Sequence, residues 1–193
     1  YIFHFILAGM GVFSILITLG TSRYSALFGG LSFALMPYLI TMVVHGHGSQ
    51  MMTTAWLPWV IWAILRLYDD VSLKNMGILG LIVGLQMQRA HVQIAYYTWM
   101  AAGLLIVMLL CRIHANPRKN PKWVLYACSA FMLGLCMAMW IYLPVMNYTP
   151  HSIRGAGSMG GTGFDYATAW SFSFSEMATF FIPSFYGFGG ATY

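Results

Sequence analysis

The sequence predicts an all-α fold: a polytopic transmembrane helical bundle of about six spans, followed by an extracytoplasmic C-terminal segment. Three observations predict it. Long apolar runs alternate with short polar knots, as helices that cross a ~30 Å hydrocarbon core require. Charged residues are 7% of the chain and gather in the knots. Hydrophobic residues reach 60% and mean hydropathy is +0.72, more apolar surface than a soluble domain of this size can hide. The runs are too long for outer-membrane barrel strands, which alternate over ~10 residues.

The runs are Tyr1–Leu19, Tyr24–Val44, Thr53–Tyr68, Leu73–Gln88, Ile94–Cys111 and Trp123–Tyr142. Tyr24 and Trp123 stand at run ends, where amphipathic rings favour the membrane interface. Pro37 and Pro58 fall inside the second and third runs and predict kinks there. Gly80 and Gly84 form a GxxxG that lets a neighbouring helix approach the fourth run closely. The third and fourth runs are short, which predicts a recess on the outer face where they stop. Residues 1–148 are expected to form the bundle and 149–193 an extracytoplasmic loop. In that loop Ser173 and Glu176 match a capping box opening a short helix before Pro183, and the apolar, aromatic stretch Ser175–Phe185 suits the membrane interface.

With alternating spans, one set of ends carries Arg23, Arg66, Lys74, Arg112, Arg118, Lys119 and Lys122, while the other carries only Arg89 and Arg154. The positive-inside rule assigns the first set to the cytoplasm. His45, His47, Gln50, Arg89, His91, Gln93, His151, Arg154, Asp165 and Glu176 then fall on the extracytoplasmic side. The net charge of +5 is spread thinly along run ends, a pattern of topology and headgroup contact rather than nucleic-acid binding. The run from Asn116 to Lys122 is a Pro-broken topology anchor.

Three outward knots are candidates for chemistry. In His45-Gly46-His47-Gly48-Ser49-Gln50 the glycines flanking His47 permit a tight turn and close approach to a ligand. The knot is read as interfacial histidines, as hydrogen-bonding groups for phosphate or sugar, or, with His91, as ligands of a divalent metal; His-x-His alone lacks the further ligands such a site needs. In Gln86–Gln93, Arg89 and His91 either sit among headgroups or line a recess and bind an anion, for which the planar guanidinium is suited. Tyr96, Tyr97 and Trp99 follow as packing residues or platforms for a sugar. The third knot holds His151 and Arg154, then a Gly-rich stretch with Asp165.

Gly155, Gly157 and Gly160 fit GxGxxG without the strand–turn–helix context a dinucleotide site requires, and Asn147-Tyr148-Thr149 is a glycosylation sequon set against a span end. Cys111, Cys128 and Cys136 lack metal-type spacing and read as small apolar filling. The chain begins at Tyr1 and closes on a Gly-rich stretch, so it is expected to be an excerpt of a longer protein.

The order of the knots resembles the YfhO family of bacterial membrane proteins, grouped with the GT-C type glycosyltransferases. The resemblance is carried by Gly46-His47, by Ala55-Trp56-Leu57-Pro58 with Arg66, and by Gln88-Arg89-Ala90-His91-Val92-Gln93-Ile94-Ala95-Tyr96-Tyr97. The Leu143-Pro144 helix end, Ser152-Ile153-Arg154 and Ser173–Gly187 complete it. It implies a GT-C-like bundle in the bacterial inner (cytoplasmic) membrane whose outer face takes a polyprenyl-phosphate sugar. That sugar would pass to an envelope glycopolymer or protein acceptor, with membrane lipids and no nucleic acid as further partners.

Such chemistry needs a carboxylate to activate the acceptor and cations or donors for the departing phosphate. His47, Gln50, Arg89, His91, Gln93 and Arg154 are the candidates for binding donor phosphate or sugar. Asp165 and Glu176 are the only outward carboxylates, and the resemblance implies that the catalytic acid lies upstream of Tyr1. No cofactor is expected, a divalent metal at His45, His47 and His91 being the alternative. The competing functions are a transporter or flippase of lipid-linked or anionic solutes and a non-catalytic membrane subunit.

Overall fold

Every regular element among the described residues is helical. A computed structural model describes residues 1–115, 122–152, 168, 171, 173–182 and 185. The elements are α1 (Ile2–Thr18), α2 (Arg23–Ala34), α3 (Pro37–Val44), α4 (Gly48–Asp69), α5 (Leu73–Met87), α6 (Val92–Ala115) and α7 (Trp123–Tyr148). Two 3-10 turns, Thr149–His151 and Ser175–Phe180, follow. The chain divides into two units, Tyr1–Tyr142 and Leu143–Tyr193, with α7 running from the first into the second.

Among the described residues, three segments are long and apolar enough to cross a membrane: Arg23–Val44, Val92–Cys111 and Trp123–His151. The apolar helices α1 and α5 are shorter, 17 and 15 residues, which at 1.5 Å per residue span about 25 and 22 Å. The described residues are therefore those of a helical membrane protein.

Prolines account for two differences from the expected runs. Pro37 breaks the second run rather than kinking it. The residue before a proline is pushed out of helical space; Met36 is extended at φ −62°, ψ 141°, and Pro37 restarts the chain as the first residue of α3. Pro144, expected at a helix end, lies inside α7, which continues to Tyr148. Pro58 stays inside α4, and α1 closes over it. A methyl on Gly11 would stand 2.8 Å from Pro58 Cβ, while the Trp59 indole N–H donates to the Leu7 carbonyl at 2.8 Å.

The third run was expected to be short, yet α4 takes in Gly48, Ser49 and Gln50 from the preceding knot and reaches 22 residues. Gly46, at φ +78°, turns the chain, and His47 becomes the N-cap. α4 is the hub of the first unit, packing against α1, α3, α5 and α6. The main core runs through Val60, Ile64 and Leu67 of α4, Leu79 and Val83 of α5, and Trp123 and Ala127 of α7. The GxxxG on α5 is used as expected: a methyl on Gly80 would stand 3.1 Å from the Ala130 carbonyl oxygen of α7.

The two sets of loop ends separate within the first unit. At one end the Tyr68 ring meets Trp123 edge-on with centroids 5.3 Å apart. The α4–α5 turn beside it is tied by Asn75 Nδ2 donating to both the Asp70 carbonyl (2.7 Å) and its carboxylate (2.9 Å). At the other end a methyl on Gly48 would collide with the Tyr1 phenol, and the Tyr142 hydroxyl donates to the Met87 carbonyl at 2.9 Å.

Two left-handed residues shape that second end, Gly46 at φ +78° and Ala90 at φ +63°. A side chain costs about 1–2 kcal/mol in this region. Gly46→Ala, with open space around it, is expected to lower the thermal unfolding midpoint in detergent, and Ala90→Gly to raise it. Equal midpoints for both variants would show that neither turn is strained.

Candidate functional site

The second end of the first unit holds most of the ionisable groups of the outward knots. His47 caps the start of α4, and His91 immediately precedes α6. The two are close enough for the charge of His47 to act on His91. Arg89 lies between α5 and α6 and acts in the same way on His4, in the first turn of α1. His4, His47, Arg89 and His91 thus converge from α1, α4 and the α5–α6 turn. The N-termini of α1, α4 and α6 and the C-termini of α3 and α5 come to this end, so helix partial charges of both signs are present there.

Arg89 is held from the backbone. The amide N–H of Arg89 donates to the Gln86 carbonyl (3.1 Å) and that of Ala90 to the Met87 carbonyl (3.1 Å). Gln88 Nε2 donates to the Met137 carbonyl of α7 at 3.4 Å. The guanidinium is half-buried, and its Nε is buried without a hydrogen-bond partner. Buried donors in folded proteins are nearly always satisfied, so this cation suits an anionic ligand.

His91 Nδ1 accepts from the Ile94 amide N–H at 3.4 Å, a weak N-cap for α6 that needs this nitrogen unprotonated. Burial and then the charge of His47 hold its pKa below the ordinary value of 6.5, opposed by a backbone hydrogen bond. A folded pKa below the unfolded one gives stability that is present above about pH 6.5 and is lost as pH falls through the folded value. Anion affinity runs the other way, rising as His91 gains its proton. Thermal unfolding from pH 8 to 5 should show this loss, and His91→Asn, a cap that does not titrate, should flatten it. An unchanged slope in that variant would assign the pH dependence elsewhere.

The remaining candidates take other places. Gln50 is half-buried in the first turn of α4. Gln93 is exposed on α6, where its Nε2 donates to the Tyr97 hydroxyl at 2.8 Å. His45 caps its own helix, its ring Nδ1 lying 3.0 Å from the Thr41 carbonyl, a contact that the Nδ1–H tautomer makes as donor. Among the described residues there is no group of three or more His, Cys, Asp or Glu able to hold a metal, so His45, His47 and His91 do not form one. Arg154 and Asp165 lie outside the described residues, as do Lys119, Arg118 and the glycines of the GxGxxG match.

Glu176 belongs to the second unit, and there it closes the expected capping box. Its Oε2 accepts from the Ser173 amide at 2.6 Å, and its own amide donates to the Ser173 hydroxyl oxygen at 3.3 Å. The Ser173 amide, and then the Ser173 side chain, hold its carboxyl below the usual carboxylate range. That favours an ionised cap at the start of the Ser175–Phe180 turn.

One group was missed from sequence, and a second was named only as part of the Gln86–Gln93 knot. His4 sits inside the first apolar run, where hydropathy averages it away. The second group is a buried polar node, Gln86 with Thr53 and Thr98, whose neutral side chains leave hydropathy almost unchanged. A titratable residue at a run end and three neutral polar residues on adjoining runs were the available signals. Comparison with known proteins adds nothing to this geometry: no protein-family model, no curated protein and no solved structure matches the chain.

Proposed function

We propose that the chain is the membrane-embedded part of a GT-C-like glycosyltransferase of the bacterial inner membrane, with six spans. It would take a sugar from a polyprenyl-phosphate donor and transfer it to an envelope glycopolymer or protein outside the cytoplasm. The observation that carries this reading is the convergence of His4, His47, Arg89 and His91 at one end of the bundle. Departing phosphate needs fixed cations and donors more than any other group, and the half-buried Arg89 with the imidazoles around it is the set that this end offers. In this reading the cationic end faces outward, as the excess of Lys and Arg on the opposite ends favours.

A second reading is a non-catalytic subunit that binds lipid phosphate. It is favoured because, among the described residues of the first unit, the carboxylates Asp69 and Asp70 close α4 at the opposite end. A transporter or flippase of lipid-linked or anionic solutes is the third reading.

The test is the full-length protein in nanodiscs, supplied with radiolabelled polyprenyl-phosphate hexose and an envelope extract. Label passing into the extract supports the transferase. Donor binding without any transfer supports the subunit, and label crossing the bilayer of proteoliposomes unchanged supports the flippase.

A further inference from the structure

The turn that carries Arg89 is strained. α5 ends at Met87 and α6 begins at Val92. Between them Ala90 takes a left-handed conformation, φ +63°, which disfavours any residue with a Cβ. Strain of this kind persists only where the surroundings hold it. Within the turn the Arg89 amide donates to the Gln86 carbonyl and the Ala90 amide to the Met87 carbonyl, both at 3.1 Å. Further support comes from α7.

The Tyr142 hydroxyl of α7 donates to the Met87 carbonyl at 2.9 Å. This is one of the last carbonyls of α5, which lack an amide partner within their own helix. Its oxygen has two lone pairs, and it takes the Ala90 amide and the Tyr142 hydroxyl together. One atom thus ties the left-handed residue to α7. Gln88 reaches the other way, its Nε2 donating to the Met137 carbonyl of α7 at 3.4 Å. At 1.5 Å per residue, Met137 and Tyr142 stand about 7.5 Å apart along α7, so the turn is held at two levels. Arg89 lies between the two ties. Its Nε is buried without a hydrogen-bond partner, so no bond at that atom fixes the guanidinium, and the backbone beneath it must. The Tyr142 ring packs against Met87, Ala95 and Ala138, a contact that does not need the phenol oxygen.

We infer that Tyr142 is a positioning residue for the phosphate site: through the Met87 carbonyl its hydroxyl holds the strained turn, and with it the Arg89 guanidinium, in the setting that receives a lipid phosphate. Gln88 is the second strut of the same device. This inference rests on the proposed lipid-phosphate function and deepens it, because it makes the setting of the cation depend on where α7 stands. Tyr142 acts through Arg89 and not on the ligand, since its proton is already given to Met87.

The test is a double-mutant cycle on the full-length protein in nanodiscs, read as affinity for sugar-free polyprenyl phosphate per folded molecule. Tyr142→Phe keeps the ring and removes the oxygen, while Arg89→Ala removes the group being positioned. Tyr142→Phe should weaken binding about fivefold, the size of one hydrogen bond. In the Arg89→Ala background the same change should have no effect, because nothing is left to position. Gln88→Met, which cuts the longer and weaker tie, should give a smaller loss that also vanishes without Arg89. It carries the cycle by itself if Tyr142→Phe fails to insert. Equal binding by Tyr142→Phe and wild type overturns the inference, whatever the unfolding midpoint does, because a bond that only stabilises the fold would move the midpoint alone. A loss of the same size in the Arg89→Ala background overturns it too, since Tyr142 would then act without Arg89. Wild type that binds no polyprenyl phosphate, or Arg89→Ala that binds it as well as wild type, overturns the phosphate site and this inference with it.

Discussion

Arg89→Ala is expected to lower sugar transfer by the full-length protein by about two to three orders of magnitude, the usual cost of removing a preorganised donor from developing negative charge. Among the described residues, Arg89 is the guanidinium at the converging end of the first unit, and its planar fork can hold two phosphate oxygens at once. Its place is set by the backbone of the α5–α6 turn and by the Gln88–Met137 bond to α7, so the side chain can be lost without loosening the helices. Arg89→Lys should recover only a small part of the activity, because an ammonium keeps the charge but loses the planar fork that spans two phosphate oxygens. Membrane insertion and the unfolding midpoint should stay within a few degrees of wild type. Full transfer by Arg89→Ala in a well-inserted protein would remove the phosphate site from this end of the bundle.

Gly134→Ala should be among the most damaging single-methyl changes in the chain. A Cβ at Gly134 would stand 2.6 Å from Val83 Cγ1 and 2.9 Å from the Gly80 carbonyl oxygen. The valine is itself fully buried and β-branched, with little rotamer freedom, and the carbonyl belongs to a helix that cannot shift alone. Separating α5 from α7 by even a few tenths of an ångström disturbs the core around Leu79, Val83 and Ala130. The cost of such overpacking is about 1–3 kcal/mol. Gly77→Ala and Gly103→Ala have open space around the new methyl and should be neutral or stabilising by about 0.5–1 kcal/mol, since glycine weakens a helix interior. Thermal unfolding in detergent ranks the three variants. A Gly134→Ala protein as stable as Gly103→Ala would show that α5 and α7 do not pack through these glycines.

Much of the helix arrangement was legible because it is local. Ser173 and Glu176 formed a capping box because both bonds lie within four residues. The GxxxG at Gly80 and Gly84 met a neighbour because a flat helix face admits one wherever it lies. Pro37 was legible as a disturbance but not as a break. Whether a proline kinks or interrupts a helix depends on what packs beside it, and Pro58 and Pro144 remain inside their helices while Pro37 does not. The same limit hid the start of α4, where Gly46 turns the chain early enough for Gly48 to begin the helix. At the candidate site, Arg89, His47 and His91 were legible as charge in polar knots. His4 was not, and Gln86 was legible only as a polar residue of its knot, because its partners Thr53 and Thr98 come from two other helices, which no periodicity within one run records.

The central position of α4 bears on how the protein is made. While residues 1–44 have left the ribosome and α4 has not, α1 and α3 lack a helix that both pack against. Their inward faces must wait in lipid, or beside the insertion machinery, until Asp69 emerges. Translational pausing just before that residue should prolong a protease-sensitive nascent state, and pausing just after it should shorten that state.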